Sequence, residues 1–430
     1  MNKNQLIKYI ESCIPNKLLS MYRNLKRQFW WLLQQTAYKV SIAKLKNKQS
    51  FNVVFVVWER SIWKYDSLFK LMYKDKCFNP MILVCPLVGL ENKQMLDKVK
   101  ETYSYFISKG YNTICACNET ADLIVNIDDL SPDVIFYPTP YPYQIPKQYN
   151  QYTRLKYLKC YVNYAYVNVI YSWSIASAVQ GLMWLYFVEC ESNKYLALSY
   201  SKSEFKNARV VGYPIYDEYQ ATKGDASMWK SADPKFKRII WVPHHSIEGH
   251  NGLLSFSTFL ENAEKILEFA ENNKDKYQFA FKPHPLLLQA LYNHPKWGKE
   301  KADAYYKSWE EGENTVLQTG TYMELFKSSD AMIHDCGSFI IEYLYTQKPV
   351  MYLGNNRKEQ SNVVGKKAYA CHYHGTTIED INAFLDDVVQ NGNDDLKTTR
   401  KQFYNEVLLP PNGCSVAENI INEIKKELHK

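Results

Sequence analysis

Three apolar segments of the sequence lead into polar side chains that are suited to phosphate chemistry. His244 and His245 follow the segment RIIWVP, Lys282 and His284 follow YQFAF, and Asp335 follows AMIH. Histidine and lysine can stabilise the negative charge that develops on a departing phosphate. Ligands of open α/β sheets bind beyond the carboxyl ends of the strands. If the three segments are neighbouring parallel strands, they bring these side chains to one edge of a sheet.

The residues after Asp335 predict an anion-binding turn. Gly337, Ser338 and Phe339 lie where a helix is predicted to begin, so their backbone N–H groups and the helix dipole suit a phosphate or pyrophosphate. Glu342 follows one turn later on the same helix face, where its carboxylate could accept hydrogen bonds from ribose hydroxyls. Each feature also has a purely structural explanation, since serine commonly caps helices and His-Pro is common in turns. The convergence of three segments favours a functional site.

A metal site is the less favoured alternative for the histidines. His244, His245 and His250 could offer nitrogen ligands, but adjacent side chains at a strand end are expected to point in opposite directions. The sequence holds no CxxC pair and no dedicated acidic pair for a divalent cation. We therefore expect no required metal, with Mg²⁺ as an optional aid to a bound diphosphate. The absence of a GxSxG segment disfavours a Ser-His-Asp hydrolase.

Apolar segments alternate with helical segments along most of the chain, which predicts an α/β fold with parallel sheets covered on both faces. We expect two doubly wound, Rossmann-like domains that face a cleft, preceded by a helical segment. The polar stretch 224–237 is the expected linker. The predicted β-segments are 51–57, 81–85, 113–117, 133–137 and 208–214 in the first domain, and 238–245, 277–285, 314–318, 331–335 and 349–354 in the second.

The predicted domain limits follow from these patterns. They are 1–50 for a basic amphipathic helical segment, 51–223 for an acceptor domain, 235–400 for a donor-nucleotide domain and 401–430 for a C-terminal helical segment.

The net positive charge of the chain comes from its N-terminal segment. The 430 residues carry a net charge of +7, whereas residues 1–50 alone carry +9. The remainder is slightly acidic, which argues against a nucleic-acid partner. Residues 17–46 contain no Gly or Pro and predict one or two amphipathic helices that include Trp30 and Trp31. Such a basic helix suits the headgroup region of an anionic membrane, and packing on the protein body is the alternative.

Other features limit the class of protein. No stretch approaches the roughly 18 apolar residues of a membrane span, and the first residues lack the pattern of a secretory signal. Ten cysteines at irregular spacing do not form a disulfide framework. These features predict a reduced protein on the cytoplasmic side of a membrane.

Four segments together resemble the CDP-glycerol glycerophosphotransferase family. They are WVPHHS (241–246), FKPHP (281–285), GYPIYD (212–217) and SSDAMIHDCGSFIIEYLYTQKPVMYL (328–353). Members of that bacterial family build teichoic acids and capsular polymers on the two-domain glycosyltransferase fold called GT-B. The resemblance extends over roughly residues 205–420.

The resemblance implies a CDP-activated donor bound by the C-terminal domain and a lipid-linked or polymeric acceptor. It implies that His284, helped by Lys282, stabilises the donor phosphates. By the same resemblance Gly337, Ser338 and Phe339 hold the pyrophosphate, Asp335 shapes the loop and Glu342 binds ribose. The expected location is the inner face of the bacterial plasma membrane.

The sequence departs from the family pattern on the acceptor side. The family carries a Trp-His-Gly-x-x-Lys segment whose His serves as base, but residues 157–173 contain no His. Its nearest match, YVNYAY (161–166), resembles a Tyr-x-Pro-Tyr-Gly segment of divergent relatives. His244 or His245 is the alternative base. A smaller departure is Asn412 in place of the family's Asp.

Three functions follow, in order of preference. The first is transfer of glycerol phosphate, or a related alcohol phosphate, from a CDP-activated donor to an acceptor of surface-polymer synthesis. The second is a GT-B glycosyltransferase of capsule synthesis that uses a nucleotide sugar. The third is a non-catalytic scaffold in a capsule assembly complex, whose 35 tyrosines and ten tryptophans would bind sugars.

Overall fold

The computed structural model describes most of the chain, as two compact units. The described residues are 16–247, 257–320, 322–354 and 361–429. Of these residues, unit 1 comprises those up to Tyr164, Ser172–Val211 and those from Val416 onward, and unit 2 comprises Ala165–Tyr171 and those between Gly212 and Ser415.

Unit 1 is built on a parallel sheet of seven strands in the order β3-β2-β1-β4-β5-β6-β7. Every pair of neighbouring strands is parallel. The strands are β1 (Phe51–Val57), β2 (Phe78–Val84), β3 (Thr113–Cys115), β4 (Val134–Tyr137), β5 (Leu158–Val162), β6 (Leu185–Val188) and β7 (Ala208–Val210).

The helices of unit 1 connect these strands or precede and follow them. They are α1 (Asn16–Leu45), α2 (Asp66–Lys74), α3 (Asn92–Ser108), α4 (Ser172–Ile175), α5 (Ala178–Leu182), α6 (Glu191–Tyr200) and, from the C-terminus of the chain, α16 (Val416–Leu428).

Unit 2 is built on a second parallel sheet, of six strands in the order β10-β9-β8-β11-β12-β13. Its strands also pair only in parallel within the described residues. They are β8 (Lys237–Val242), β9 (Tyr277–Phe281), β10 (Thr315–Leu317), β11 (Ala331–His334), β12 (Val350–Leu353) and β13 (Tyr373–Gly375).

The helices of unit 2 are mostly short. They are α7 (Ile215–Ala221), α8 (Phe259–Asn272), α9 (Leu287–Tyr292), α10 (Gly298–Glu311), α11 (Met323–Ser328), α12 (Phe339–Glu342), α13 (Val363–Tyr369), α14 (Ile378–Ala383) and α15 (Lys397–Phe403).

Most strands of both parallel sheets are buried on both faces, and their composition shows it. In β1, FNVVFVV, every residue except Asn52 is buried, and all residues of β4, β5 and β6 are buried. Strands covered on both faces are apolar throughout rather than alternating. In unit 2 an aromatic cluster fills the space between sheet and helices, with Trp241 and Trp309 5.6 Å apart between ring centroids. This core holds the ends of β8 and β9 in place.

The predicted fold class is confirmed: each unit is a parallel sheet with surrounding helices, and an N-terminal helix is present. The predicted domain limits stay predictions. The structure assigns residues 165–171 to unit 2 and the C-terminal helix α16 to unit 1. Strands β5, β6 and β13 have no counterpart among the predicted β-segments.

Helix α1 packs on unit 1 through one face. Tyr38 Oη donates to the carbonyl of Leu182 at 2.8 Å, and Gln34 Nε2 donates to the carbonyl of Leu155 at 2.9 Å. Gln34 also accepts a hydrogen bond at 3.0 Å from Nζ of Lys159, which is fully buried in β5.

The opposite face of α1 is an exposed apolar stripe. Its members recur every three or four residues up to Leu33, Val40 follows two turns later, and the exposed lysines of α1 lie beside them. The stripe comprises Leu18, Met21, Tyr22, Leu25, Phe29, Leu32, Leu33 and Val40, and the lysines are Lys26, Lys39 and Lys44. Trp30 and Trp31 are half-buried and lie outside the stripe. Within the described ranges, no helix has the length and apolar character needed to cross a membrane.

Candidate functional site

Three histidine rings meet at the carboxyl ends of β8 and β9. The ring centroids of His244 and His245 are 4.2 Å apart, and that of His284 lies 4.1 Å from His245 and 5.0 Å from His244. The expectation that the adjacent histidines point in opposite directions is wrong. Strand β8 ends at Val242, so the alternation of side chains no longer applies to His244 and His245. His250 lies outside the described residues.

Hydrogen bonds to the backbone fix the tautomers of two rings. Nδ1 of His284 accepts from the N–H of Leu286 at 3.1 Å, and Nδ1 of His244 accepts from the N–H of Ser246 at 3.2 Å. A backbone N–H only donates, so both Nδ1 atoms are unprotonated and the neutral rings carry their proton on Nε2. The Ser246 hydroxyl, 2.8 Å from Nδ1 of His244, then donates to that same atom. Burial, followed by the charges of His245 and Lys282, lowers the pKa of His284 to about 4. His284 is therefore a neutral hydrogen-bond donor at pH 7.

The same tautomers test whether the cluster suits a metal. One nitrogen from each of His244, His245 and His284 lies within 4.8 Å of the others, close enough for a shared ion. A metal needs a nitrogen lone pair, and histidine ligands normally donate their other ring N–H to an acceptor. In His244 and His284 the other nitrogen faces an N–H donor instead. The cluster therefore suits an anion that accepts Nε2–H bonds better than it suits a cation.

Lys282 adds a positive charge next to this cluster. Its side chain is only 8% exposed, and Nζ donates to the carbonyl of Gly320 at 2.9 Å. Nζ also lies 5.6 Å from the ring centroid of Tyr322. Burial lowers the pKa of Lys282 to about 8, which the nearby Cys336 thiol partly opposes. The ammonium group is thus mostly protonated at pH 7 and close to its titration range.

Asp335 joins the loops that follow neighbouring strands. Its Oδ1 accepts from the N–H of His244 at 2.5 Å, and its Oδ2 accepts from the N–H and the hydroxyl of Thr258 at 2.6 and 3.2 Å. Burial raises the pKa of Asp335 to about 7, against the effect of these donors. Asp335 therefore holds the histidine loop after β8 and the start of α8 against the end of β11.

The turn after Asp335 offers unused hydrogen-bond donors. Ser338 is exposed and its hydroxyl makes no capping bond to α12. The backbone N–H groups of Ser338, Phe339 and Ile340 donate to no group in the part of the chain that the structure describes. On the other side of the turn, the carbonyl of Gly337 accepts from Nδ2 of Asn168 at 2.8 Å. The turn is anchored on one side and open on the other.

Glu342 is buried behind this turn, with two tyrosine partners. Its Oε1 accepts from Tyr213 Oη at 2.8 Å and its Oε2 from Tyr322 Oη at 2.7 Å. The carboxylate is 3% exposed. Burial, followed by the charge of Glu342, raises the pKa of both tyrosines, so both hydroxyls stay protonated donors.

The structure brings most predicted site residues together. His244, His245, Lys282, His284 and Asp335 meet at the ends of three adjacent strands, β9, β8 and β11. The turn of Gly337, Ser338 and Phe339 follows β11 directly, whereas the Glu342 carboxylate faces tyrosines rather than solvent.

Four residues of this region were not predicted from the sequence: Asn168, Tyr213, Thr258 and Tyr322. Tyr213 lies in the segment GYPIYD, which could have indicated it. Asn168 is 169 residues from its partner Gly337 and had no local signal.

Fold and site together define the class of protein. Two parallel sheets with surrounding helices form a GT-B-type α/β protein, and the strand-end cluster of unit 2 suits a phosphorylated ligand. A family model agrees with this class: residues 191–426 match CDP-Glycerol:Poly(glycerophosphate) glycerophosphotransferase. Because the match covers more than half of the chain, the chain belongs to this family of transferases.

A curated relative carries a related name. The chain is 25% identical over 193 residues to the minor teichoic acid biosynthesis protein GgaB of Bacillus subtilis (strain 168). The alignment covers 43% of this chain and 19% of GgaB, so the chain spans about a fifth of that relative's length.

Solved structures share the fold at low identity. A variant of the wall teichoic acid polymerase TagF matches with a TM-score of 0.55 and 12% identity, over 96% of this chain and 98% of that one. The S. aureus MnaA-UDP co-structure matches with a TM-score of 0.55 and 15% identity, over 88% and 97% of the two chains. A putative UDP-N-acetylglucosamine 2-epimerase from Listeria monocytogenes matches with a TM-score of 0.53 and 13% identity, over 88% and 96%.

Proposed function

We propose that the chain transfers glycerol phosphate, or a related alcohol phosphate, from a CDP-activated donor to a lipid-linked or polysaccharide acceptor of bacterial surface-polymer synthesis. The observation that carries the proposal is the convergence of His244, His245, His284 and Lys282 at adjacent strand ends, with Nε2–H donors on two of the rings. A diphosphate supplies the anionic acceptor oxygens that such donors require. Family membership supports the type of reaction.

In the proposed reaction an acceptor hydroxyl attacks the β-phosphorus of the donor in line. A new O–P bond forms, the bond between the β-phosphorus and the bridging oxygen breaks, and CMP leaves with that electron pair. Negative charge therefore grows on the departing phosphate. His284 would donate its Nε2–H to this phosphate, and Lys282 would add a positive charge that matters most in the transition state.

The acceptor hydroxyl must also lose a proton, and His245 is the better of the two proposed bases. The Nδ1 lone pair of His244 is used by the N–H and the hydroxyl of Ser246, and the neutral ring has no second lone pair in its plane. A base has to reach the hydroxyl within hydrogen-bond distance. His244 is then assigned to the phosphate, beside His284.

The turn after β11 is proposed to hold the rest of the donor. The N–H groups of Ser338 and Phe339, the exposed Ser338 hydroxyl and the Gly337 backbone would bind the diphosphate. Each oxygen of Glu342 keeps a lone pair after accepting one tyrosine bond, which leaves it able to accept from a ribose hydroxyl. The reaction as proposed requires no metal, and Mg²⁺ on the diphosphate would only neutralise the same charge.

The exposed stripe of α1 is proposed to bind the anionic inner face of the bacterial plasma membrane. Apolar side chains such as Leu25 and Phe29 are 60% and 61% exposed, with lysines beside them. This pairing suits a helix that lies in the headgroup region, where apolar burial and attraction to anionic lipids add together. Such binding would bring the transferase to a lipid-linked acceptor.

Ligand-induced thermal stabilisation tests the donor assignment. The wild-type protein, His284→Ala and the control His429→Ala, which changes an exposed histidine just after α16, are heated with CDP, CMP, UDP, GDP or CDP-glycerol. A ligand at about 100 times its Kd adds about 2.7 kcal/mol, a clear shift in Tm. We expect cytidine nucleotides to stabilise the wild type and the control, and His284→Ala much less.

Other outcomes would contradict the proposal in distinct ways. A preference for UDP or GDP would favour a nucleotide-sugar glycosyltransferase. No stabilisation by any nucleotide would favour a non-catalytic scaffold. Release of CMP from CDP-glycerol on addition of a membrane acceptor fraction is the expected activity, and its retention at full rate in His284→Ala would contradict the role given to His284.

A further inference from the structure

A short segment from the first half of the sequence is built into unit 2. Residues 165–171 leave unit 1 after Tyr164 and return to it at Ser172. Within unit 2 the segment forms an isolated antiparallel bridge between Val169 and Ser361, and the Tyr166 ring packs edge-on against Tyr213 at 5.3 Å. The segment thus contacts the region that holds the Glu342 carboxylate.

The backbone of this segment is held by the start of α13. The N–H of Asn362 donates to the carbonyl of Asn168 at 3.0 Å, and Asn362 Nδ2 donates to the carbonyl of Val167 at 2.9 Å. Asn362 Oδ1 in turn accepts from the N–H of Gly365 at 2.8 Å. A Cβ at Gly365 would lie 2.1 Å from the carbonyl oxygen of Asn168, so only glycine permits this close approach.

With its backbone fixed, Asn168 reaches the turn after β11. Its Nδ2 donates to the carbonyl oxygen of Gly337 at 2.8 Å. A peptide unit is planar and trans, so its C=O and the following N–H point in opposite directions. The bond from Asn168 therefore directs the N–H of Ser338 to the other side of the turn, where it has no partner among the described residues.

We propose that Asn168 is a positioning residue for the phosphate groups of the donor. By holding the Gly337 carbonyl, it keeps the Ser338 N–H aimed at a bound diphosphate, a role that rests on the proposed function of this turn. The side chain itself touches the protein backbone and not the donor. Nucleotide phosphates are then bound by a turn whose orientation depends on a residue far away in the sequence.

Two substitutions separate the hydrogen bond from packing. Asn168→Ala removes the side-chain amide, whereas Asn168→Asp keeps its shape but cannot donate at pH 7. Asn272→Ala, at an exposed position at the end of α8, is the control. Calorimetric titration measures the binding of CDP, UDP and cytidine to each protein, and the Tm of each variant without ligand verifies folding.

We expect both Asn168 variants to bind CDP about tenfold more weakly than the wild type and the control. The binding of cytidine, which has no phosphate, should change less than twofold. Loss of cytidine and CDP binding in equal proportion would show a merely structural role and overturn the inference. So would an Asn168→Asp protein that binds CDP like the wild type, because packing alone would then suffice.

The two proposals fail differently. If the wild-type protein binds neither CDP nor UDP, both the proposed function and this inference are contradicted. A wild-type protein that binds CDP tightly, with variants that bind it equally well, removes the role of Asn168 and leaves the proposed function standing.

Discussion

The hydroxyl of Tyr213 donates a hydrogen bond of 2.8 Å to the carboxylate of Glu342, which is 3% exposed. Tyr322 donates to the second carboxylate oxygen at 2.7 Å. A buried carboxylate without such donors would be costly, because burial disfavours its charge. The two tyrosines therefore make a charged Glu342 tolerable beside the candidate donor turn, and they link GYPIYD to that turn.

Removing one of these donors should destabilise unit 2. Tyr213→Phe and Tyr322→Phe each remove one hydrogen bond to a buried carboxylate. Both keep the aromatic ring and its packing. We expect each to lower the free energy of unfolding by about 1–3 kcal/mol, measured as a lower Tm. Tyr143→Phe, at a tyrosine that is 70% exposed, is the matched control. Equal Tm values for all three variants would mean that Glu342 does not depend on the tyrosines.

The buried ammonium group of Lys282 predicts how nucleotide binding depends on pH. Its pKa of about 8 in the free protein should rise when an anionic diphosphate binds. Binding then takes up a proton above pH 8, and the affinity for CDP falls by up to about tenfold per pH unit there. The terminal phosphate, whose pKa is about 6, no longer titrates in this range.

Titration calorimetry from pH 7 to 9.5, in buffers of different ionisation enthalpy, measures that proton uptake directly. Lys282→Met, which keeps most of the unbranched side chain without its charge, should bind CDP weakly and without this pH dependence. A wild-type affinity that stays constant across the range would contradict the place given to Lys282.

The parallel sheets could be predicted from the sequence because most strands are plain apolar runs. Segments such as FNVVFVV and RIIWV have few polar residues, and burial on both faces explains why. Strand β5 was missed because its sequence, LKCYV, contains Lys159 inside a tyrosine-rich stretch. The structure satisfies this lysine with Gln34 Oε1 and the carbonyl of Gln151, and burial lowers its pKa to about 7.

Only those site residues that strand order brings together could be predicted from the sequence. Adjacent parallel strands account for the meeting of His245, His284 and Asp335. The rings of His244 and His245 can pack together because β8 ends before these residues. The Gly337 carbonyl is held by Asn168, which belongs to a segment far away in the sequence. Neither relationship is encoded in a local spacing, so neither could be inferred from the motifs.

Asp335 gives a prediction about how the site is held together. Its two oxygens accept three hydrogen bonds, from His244 and Thr258. Asp335→Asn replaces one acceptor oxygen with an NH₂ group, so that two hydrogen-bond donors face each other. We expect a lower Tm and at least tenfold weaker CDP binding, because the histidine loop loses its anchor. Asp275→Asn, at an exposed position, is the control. An Asp335→Asn protein with normal CDP affinity would show that the loop is held by other contacts.

The apolar stripe of α1 predicts binding to anionic vesicles. Phe29→Glu places a charge in the middle of the stripe at an exposed position, so the fold should tolerate it. Gln49→Glu adds the same charge at an exposed position after the helix and is the control. In co-sedimentation with phosphatidylglycerol-containing vesicles, we expect the wild type and the control to bind, and Phe29→Glu to bind at least tenfold more weakly. Each lysine near the surface contributes about 1 kcal/mol, so added salt should weaken the binding of the wild type. Equal binding to neutral vesicles, or equal binding by Phe29→Glu, would contradict a membrane role for the stripe and favour a protein partner at this face of α1.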